Sequence, residues 1–146
     1  MDTIILERVD QAYAFEATDA LGHQLRMDAS PALGGSNAGI RPMQTLLMGL
    51  GGCGGVDIVS ILKKQKQDLQ KMKVVIQGQR EEGKEPSLWK TIELAFHFTG
   101  QIDPDKAEKA IALSLNKYCS VAATLRAAGA SITWTIHIAS PAPQPA

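Results

Sequence analysis

The hydrophobic and polar positions along the chain change period several times, and each change marks a predicted element. The first 29 residues alternate in short bursts bounded by polar residues and by Gly22, which predicts two or three short strands. From Met43 to about Leu69 the apolar residues recur at helical spacing, and Pro42 suits the first turn of that helix. Two β-type runs follow, MKVVIQGQR and LWKTIELAFHF, and the turn-forming EEGKEPS between them predicts a hairpin.

The last third of the chain predicts two helical pieces and a final strand. Asp103 and Pro104 supply an N-cap and a first-turn proline, and a face of small apolar residues then extends to Tyr118. A second helical piece, CSVAATLRAAG, ends at Gly129, and the alternation in ITWTIHI is typical of a strand. The predicted order is βββ–α–ββ–α–α–β, an α+β fold. Strands adjacent in sequence should pair antiparallel, with the helices to one side.

Composition narrows the classes of function. The chain has 146 residues, 45% of them hydrophobic and 21% charged, which fits one soluble globular domain. We place this domain at residues 1–139 and expect the proline-rich segment 140–146 to be a disordered tail. Fifteen basic and fifteen acidic residues cancel, so we expect neither nucleic-acid binding nor attraction to an anionic membrane. No apolar run approaches the roughly 20 residues that span a bilayer, and no secretory signal is visible, so the expected location is the cytoplasm.

The two cysteines, Cys53 and Cys119, are the candidate reactive groups. Cys53 lies among glycines in GLGGCGG inside the predicted helix, and Cys119 follows Tyr118 at the junction of two helices. Both thiols are also compatible with the usual state of free cysteines, which is burial as small hydrophobic residues. Because each interior glycine costs a helix about 0.5–1 kcal/mol, we expect a close helix–helix contact here, with the thiol at its edge.

Metal and dithiol motifs are not expected from the spacing of these residues. The two cysteines are too far apart for a CxxC motif. The three histidines, His23, His97 and His137, are scattered over predicted strands, and none has ligand spacing to another. A cysteine–histidine nucleophile pair would have to be assembled by the fold.

Two motifs resemble those of the OsmC/Ohr family, the osmotically induced and organic-hydroperoxide-resistance proteins. RPMQTLLMGLGGCGGVDIVSIL is similar to the family's proline-led helix with its first cysteine, and LSLNKYCSV is similar to its second cysteine motif. The resemblance implies an OsmC-like fold, with antiparallel sheets around long central helices in an intertwined homodimer. It also implies a peroxidase in which Cys53 attacks a hydroperoxide and Cys119 resolves the sulfenic acid to a disulfide. A small thiol or lipoyl-type dithiol would then restore the pair, and neither metal nor flavin would be required.

The same motifs depart from the family at the residues that should activate the first thiol. The family's peroxidases supply an arginine held by a glutamate near the start of the central helix, and that glutamate position carries Gln44 here. Arg41 is the candidate arginine, while Arg8 or Arg26 would serve only if the fold brings them near. Asp57, one turn after Cys53, is expected to make a structural hydrogen bond.

Two functions from different classes follow from this reading. The first is a thiol peroxidase that acts on organic hydroperoxides in oxidative or osmotic stress, with both cysteines retained in their motifs. The second is a non-catalytic or ligand-binding relative that keeps the dimeric fold but lacks a tuned site, which the glutamine at position 44 favours.

Overall fold

The computed structural model describes residues 1–141. Its elements in chain order are β1 (Ile4–Arg8), β2 (Phe15–Asp19), β3 (Gln24–Met27), a 3-10 turn (Pro31–Leu33), α1 (Pro42–Lys64), β4 (Asp68–Arg80), β5 (Trp89–Gln101), α2 (Pro104–Leu113), a π-helical turn (Ser114–Tyr118), α3 (Ser120–Ala127) and β6 (Ser131–Ala139). This order confirms the predicted α+β succession. Most of the segment predicted as a tail lies outside the described residues.

The chain divides into two compact units, residues 1–48 and the residues from 49 onward, and α1 contains residues of both. The first unit holds an antiparallel sheet in the order β1-β2-β3. Its strand register places four apolar side chains on one face, and each is more than a third exposed: Ile4, Leu6, Phe15 and Leu25. This unit therefore presents an apolar sheet face that the chain itself leaves uncovered.

A buried carboxylate organises the loop that precedes α1. Asp28 is only 1% exposed and accepts hydrogen bonds from the backbone N–H groups of Ala29, Ser36 and Ala38 at 2.7, 3.0 and 3.1 Å. The Ala38 N–H is the largest cause of a lowered pKa for this carboxyl, since each such donor favours the charged form. The segment predicted as loop from its composition is thus an ordered loop built around one charge.

The second unit holds a sheet in the order β4-β5-β6. The β4–β5 hairpin is antiparallel, as predicted, but β5 and β6 run parallel from Thr91↔Ser131 to Thr99↔Ala139. The expectation of antiparallel pairing throughout is therefore wrong for β6. The physical reason is that α2 and α3 form a crossover connection, which returns the chain to the same end of the sheet. The buried face of β5 supplies much of the core: Ile92, Leu94, Phe96 and Phe98.

Helix α1 is shorter than the sequence pattern predicts. It ends at Lys64, and β4 already begins at Asp68, whereas helical spacing extended to about Leu69. Lys66 has a positive φ of 57°, the left-handed conformation that commonly terminates helices. The predicted opening of α2 is confirmed, because the Asp103 side chain accepts from the N–H groups of Asp105 and Lys106.

The apolar character of α1 corrects the expectation that no segment of the chain is long and apolar enough to span a bilayer. The helix has 23 residues and a mean hydropathy of 1.7 over its most apolar window, so its length and composition alone would suffice to cross a membrane. Its glycine, threonine and serine residues break the visible apolar runs without making the helix hydrophilic. Core helices of soluble proteins pass the same test, but only 22% of this window is buried within the chain. A helix with so much exposed apolar surface is normally buried by packing against another surface.

Candidate active site

The fold brings the two cysteines into contact. Cys53 lies in the middle of α1 and is half-buried, while Cys119 lies just before α3 and is 3% exposed. Both are free thiols, and the Cys53 side chain is close enough to Cys119 to contribute to the raised pKa of the Cys119 thiol. The fold therefore brings together two cysteines that are distant in sequence.

Cys119 is the N-cap residue of α3. Its backbone is extended, with φ −73° and ψ 105°, and its sulfur accepts a hydrogen bond from the N–H of Ala122 at 3.4 Å. Burial raises the pKa of the Cys119 thiol, and contact with Cys53 raises it further, while the Ala122 N–H acts in the opposite direction. Because burial is the largest of these effects, Cys119 is held as the protonated thiol near neutral pH.

The π-helical turn fixes the backbone that leads into Cys119. The Cys119 N–H donates to the carbonyl of Ser114 at 2.7 Å, which closes the turn. The Arg126 guanidinium donates to the carbonyl of Leu115 and, at 3.1 Å, to the side-chain oxygen of Asn116. Single π-helical turns are frequent at functional sites, and this one ends at a cysteine of the pair.

Ser114 connects this turn to α1. Its side chain is fully buried, and its hydroxyl lies 3.1 Å from Asp57 Oδ2 and 3.2 Å from the carbonyl oxygen of Gly54. The expected structural hydrogen bond of Asp57 is thereby confirmed. Sequence reasoning placed Ser114 on the apolar face of the second predicted helix without giving it a role. The sequence feature that could have indicated this role was a serine on a helix face made mostly of small apolar residues.

The glycines around Cys53 accommodate neighbours from the same chain. A Cβ at Gly54 would lie 3.2 Å from Leu115 Cδ2, and a Cβ at Gly51 would lie 2.6 Å from Ile76 Cδ1. These glycines therefore admit the π-helical turn and the sheet, which corrects the expectation that the cluster as a whole serves a helix–helix contact. Only Gly52, which has no atom within 4 Å of its built Cβ, leaves room for a second helix.

Gln44 serves as a helix cap in this structure. Its side-chain oxygen accepts from the backbone N–H of Arg41 at 3.1 Å, and its own N–H donates to the Arg41 carbonyl at 2.9 Å. The side-chain contact is the second half of a capping box at the start of α1, and Arg41 has no side-chain oxygen to supply the first half. The Arg41 guanidinium instead donates to Asn37 Oδ1 at 2.7 Å and to the Gly39 carbonyl at 2.9 Å. Gln44 thus contacts the backbone of Arg41, and the guanidinium is held by its own loop.

The other two candidate arginines are also held by local partners in the first unit. Arg8 donates to the carbonyl of Ala12 at 2.9 Å, and Arg26 pairs with Glu16 at 2.9 Å. The structure therefore ties each of the three guanidinium groups to partners near it in the first unit, while Cys53 belongs to the second unit.

Two of the histidines lie together, contrary to the expectation that all three are scattered. His97 and His137 are register partners on β5 and β6, and their rings stack at 4.6 Å between centroids. Burial lowers the pKa of His97, and the positive charges of His137 and Lys73 lower it further. Within residues 1–141 no group of three or more His, Cys, Asp or Glu side chains has an arrangement that could hold a metal ion.

Comparison with known proteins places this geometry in a family. Residues 34–135 match the family model described as OsmC-like protein, a span that includes both cysteines and most of the fold. The chain belongs to the OsmC-like family. This OsmC-like protein is 40% identical to Protein YhfA of Escherichia coli strain K12 over 119 residues, which cover 81% of this chain and 85% of that protein.

Solved structures agree with the fold of this OsmC-like protein. A hypothetical protein from Aquifex aeolicus VF5 is 30% identical, with a TM-score of 0.78 over 95% of this chain and 98% of that one. An organic hydroperoxide resistance protein OsmC from Legionella pneumophila has a TM-score of 0.70 at 18% identity, over 92% and 96% of the two chains. At that identity the second likeness supports the OsmC-like fold alone.

Proposed function

We propose that this OsmC-like protein is a thiol-dependent peroxidase that reduces organic hydroperoxides, with Cys53 as the attacking thiol and Cys119 as the resolving thiol. The observation that carries the proposal is that the fold places the two free thiols near each other, so that Cys53 contributes to the raised pKa of Cys119. A sulfenic acid formed on one sulfur would have the other already beside it, which is the arrangement that disulfide formation requires.

The chemistry proceeds in two balanced steps. The Cys53 thiolate attacks one oxygen of the hydroperoxide, the O–O bond breaks, and the departing alkoxide takes a proton to become an alcohol. Cys53 is left as a sulfenic acid. The Cys119 sulfur then attacks the Cys53 sulfur, the S–O bond breaks, and the hydroxyl leaves with a proton as water.

The difference in burial supports these two roles. Cys53 is half-buried, whereas Cys119 is 3% exposed and its pKa is raised by burial. A peroxide therefore has better access to Cys53, and the thiolate needed for attack is suppressed at Cys119. An external dithiol, of the small-molecule or lipoyl type, then returns the disulfide to two thiols by exchange.

The competing proposal is a ligand-binding or non-catalytic relative. It is favoured by the capping role of Gln44 and by the local contacts of the Arg41 guanidinium, because neither group is free to act on a thiol. The name of Protein YhfA states no activity, so that comparison favours neither alternative.

Exposure to a hydroperoxide separates the two proposals. The reduced protein, treated with cumene hydroperoxide, should lose two hydrogen atoms in intact-mass spectrometry, and peptide mapping should place the new disulfide between Cys53 and Cys119. The Cys53→Ser variant is the control and should form no intramolecular disulfide. A wild-type protein that reacts no faster than free cysteine would exclude the peroxidase.

We also propose that the protein is a homodimer. Two uncovered apolar surfaces support this: the β1–β3 sheet face described above and the exposed side of α1. Val56 and Val59 on α1 are 73% and 46% exposed, on the side of the helix opposite its buried residues. A second copy of the chain would cover such surfaces, which monomeric proteins rarely expose.

The mass in solution tests the dimer. Light scattering after size exclusion should give twice the 15.6 kDa of the chain at micromolar concentration. Val56→Lys places a charge on the uncovered side of α1 and should shift the mass toward the monomer, while Lys109→Glu, an exposed position of α2 outside both apolar surfaces, should leave the dimer intact. A monomer for the unmodified chain would contradict the proposal.

A further inference from the structure

We infer that Ser114, anchored by Asp57, is the positioning residue that holds Cys119 against Cys53. Its role in turnover rests on the proposed function, but the positioning itself concerns only the distance between two sulfurs. It can therefore be tested without a hydroperoxide.

Ser114, in the π-helical turn, contacts both sides of the thiol pair. Its carbonyl accepts the Cys119 N–H at 2.7 Å, which fixes the backbone of the buried cysteine. Its hydroxyl donates to the turn of α1 that follows Cys53, where Asp57 Oδ2 and the Gly54 carbonyl lie at 3.1 and 3.2 Å. A single side chain thus links the backbones that carry the two sulfurs.

The Asp57 carboxylate is the stronger of the two acceptors. A hydroxyl carries one hydrogen, and the Gly54 carbonyl is already an acceptor within α1, whereas a carboxylate makes the stronger, charge-assisted bond. Ser114 is fully buried, so water does not compete for its hydroxyl. The missing side chain at Gly54 favours the close packing of the neighbouring Leu115, whose Cδ2 would lie 3.2 Å from a built Cβ.

The link matters for the resolving step. Disulfide formation requires the Cys119 sulfur to attack the Cys53 sulfenic acid directly, and its rate depends on how large a fraction of molecules hold the sulfurs in reach. Ser114 is bonded to the Cys119 backbone and to Asp57, so its contribution is to this fraction. Attack of Cys53 on the peroxide precedes that step and does not need Cys119.

A glutathione redox buffer measures the positioning directly. One oxidised glutathione is consumed and two reduced glutathiones are released for each disulfide formed, so the value of [GSH]²/[GSSG] at which half the protein holds the Cys53–Cys119 disulfide gives the effective concentration of one thiol at the other. Ser114→Ala should lower this effective concentration at least about tenfold, the effect of losing one hydrogen bond to a charged group. Asp57→Ala should lower it by a similar factor, and Asp57→Asn, which keeps a side-chain oxygen but loses the charge, should fall between wild type and Asp57→Ala.

Ser120→Ala is the matched control, because it removes a hydroxyl next to the same cysteine without touching α1. It should leave the effective concentration unchanged. Circular dichroism and thermal unfolding of each variant establish that it is folded before it is compared. An unchanged effective concentration in folded Ser114→Ala overturns the inference, as does an Asp57→Asn variant that is impaired as strongly as Asp57→Ala.

A second arm with cumene hydroperoxide separates this inference from the proposed function. Ser114→Ala should form the Cys53 sulfenic acid at the wild-type rate but trap more of it with dimedone, because resolution is slower. If neither wild type nor variant reacts with the hydroperoxide, the peroxidase proposal fails while the glutathione result still decides the positioning. If the variant shows slower sulfenic acid formation and unchanged dimedone trapping, Ser114 acts on the first step and the inference is wrong.

Discussion

Replacing Cys53 by serine should abolish hydroperoxide reduction, with a loss of several orders of magnitude in rate, as occurs when other enzymes lose their nucleophile. A serine hydroxyl is not ionised near neutral pH and has no comparable reactivity toward a peroxide oxygen. The measurement is the consumption of cumene hydroperoxide under excess dithiothreitol, sampled over time. Serine is close in size to cysteine, so the half-buried site on α1 should accept it without a large change in stability.

Cys119→Ser is the informative partner of that variant. Serine is a preferred N-cap residue, so α3 should still begin at position 120 with its first N–H groups satisfied. Its initial reaction with one equivalent of hydroperoxide should match wild type, because Cys53 is intact. The sulfenic acid should then persist, and excess peroxide should convert it to the sulfinic acid. If Cys119→Ser loses the first turnover and Cys53→Ser retains it, the two roles are reversed.

The succession of elements could be predicted because its causes are local. The N-cap at Asp103, the hairpin residues between β4 and β5 and the helical spacing after Pro42 each act within a few residues. The end of α1 could not be predicted in this way. Lys66 has the left-handed backbone conformation that usually marks a glycine, so no glycine indicates the helix end. The parallel direction of β6 depends on where α2 and α3 pack, which periodicity does not encode.

The candidate site likewise combines local contacts with contacts between residues that are distant in sequence. The contact of the Gln44 side chain with the Arg41 N–H joins residues only three positions apart, but Arg41 stands where the capping-box pattern has serine or threonine. The contact of Cys53 with Cys119 and the link through Ser114 join residues separated by more than 50 positions. Here the family resemblance indicated the two cysteines but assigned no role to Ser114. The link made by Ser114 is visible only in the side-chain packing of the structure.

Gly54→Val should destabilise the protein by about 1–3 kcal/mol, the usual cost of overfilling a packed interior. The built Cβ at this buried position lies 3.2 Å from Leu115 Cδ2 and 3.6 Å from Ser114 Oγ, so two further methyl groups must displace the π-helical turn. That displacement would move Cys119 away from Cys53. We therefore expect a higher fraction of unfolded protein in urea and a lower effective concentration of the two thiols in glutathione buffer.

Gly52→Val is the matched control, made by the same substitution on the same helix only two residues away. No atom of the chain lies within 4 Å of its built Cβ, so the effect within one chain reduces to helix propensity, which favours valine over glycine by a few tenths of a kcal/mol. The Cys53–Cys119 disulfide should form as in wild type. A lower solution mass in this variant alone would indicate that a second copy crosses α1 at Gly52. Equal effects of the two substitutions on the thiol pair would instead show that the approach of Leu115 and Ser114 to Gly54 does not hold the cysteines together.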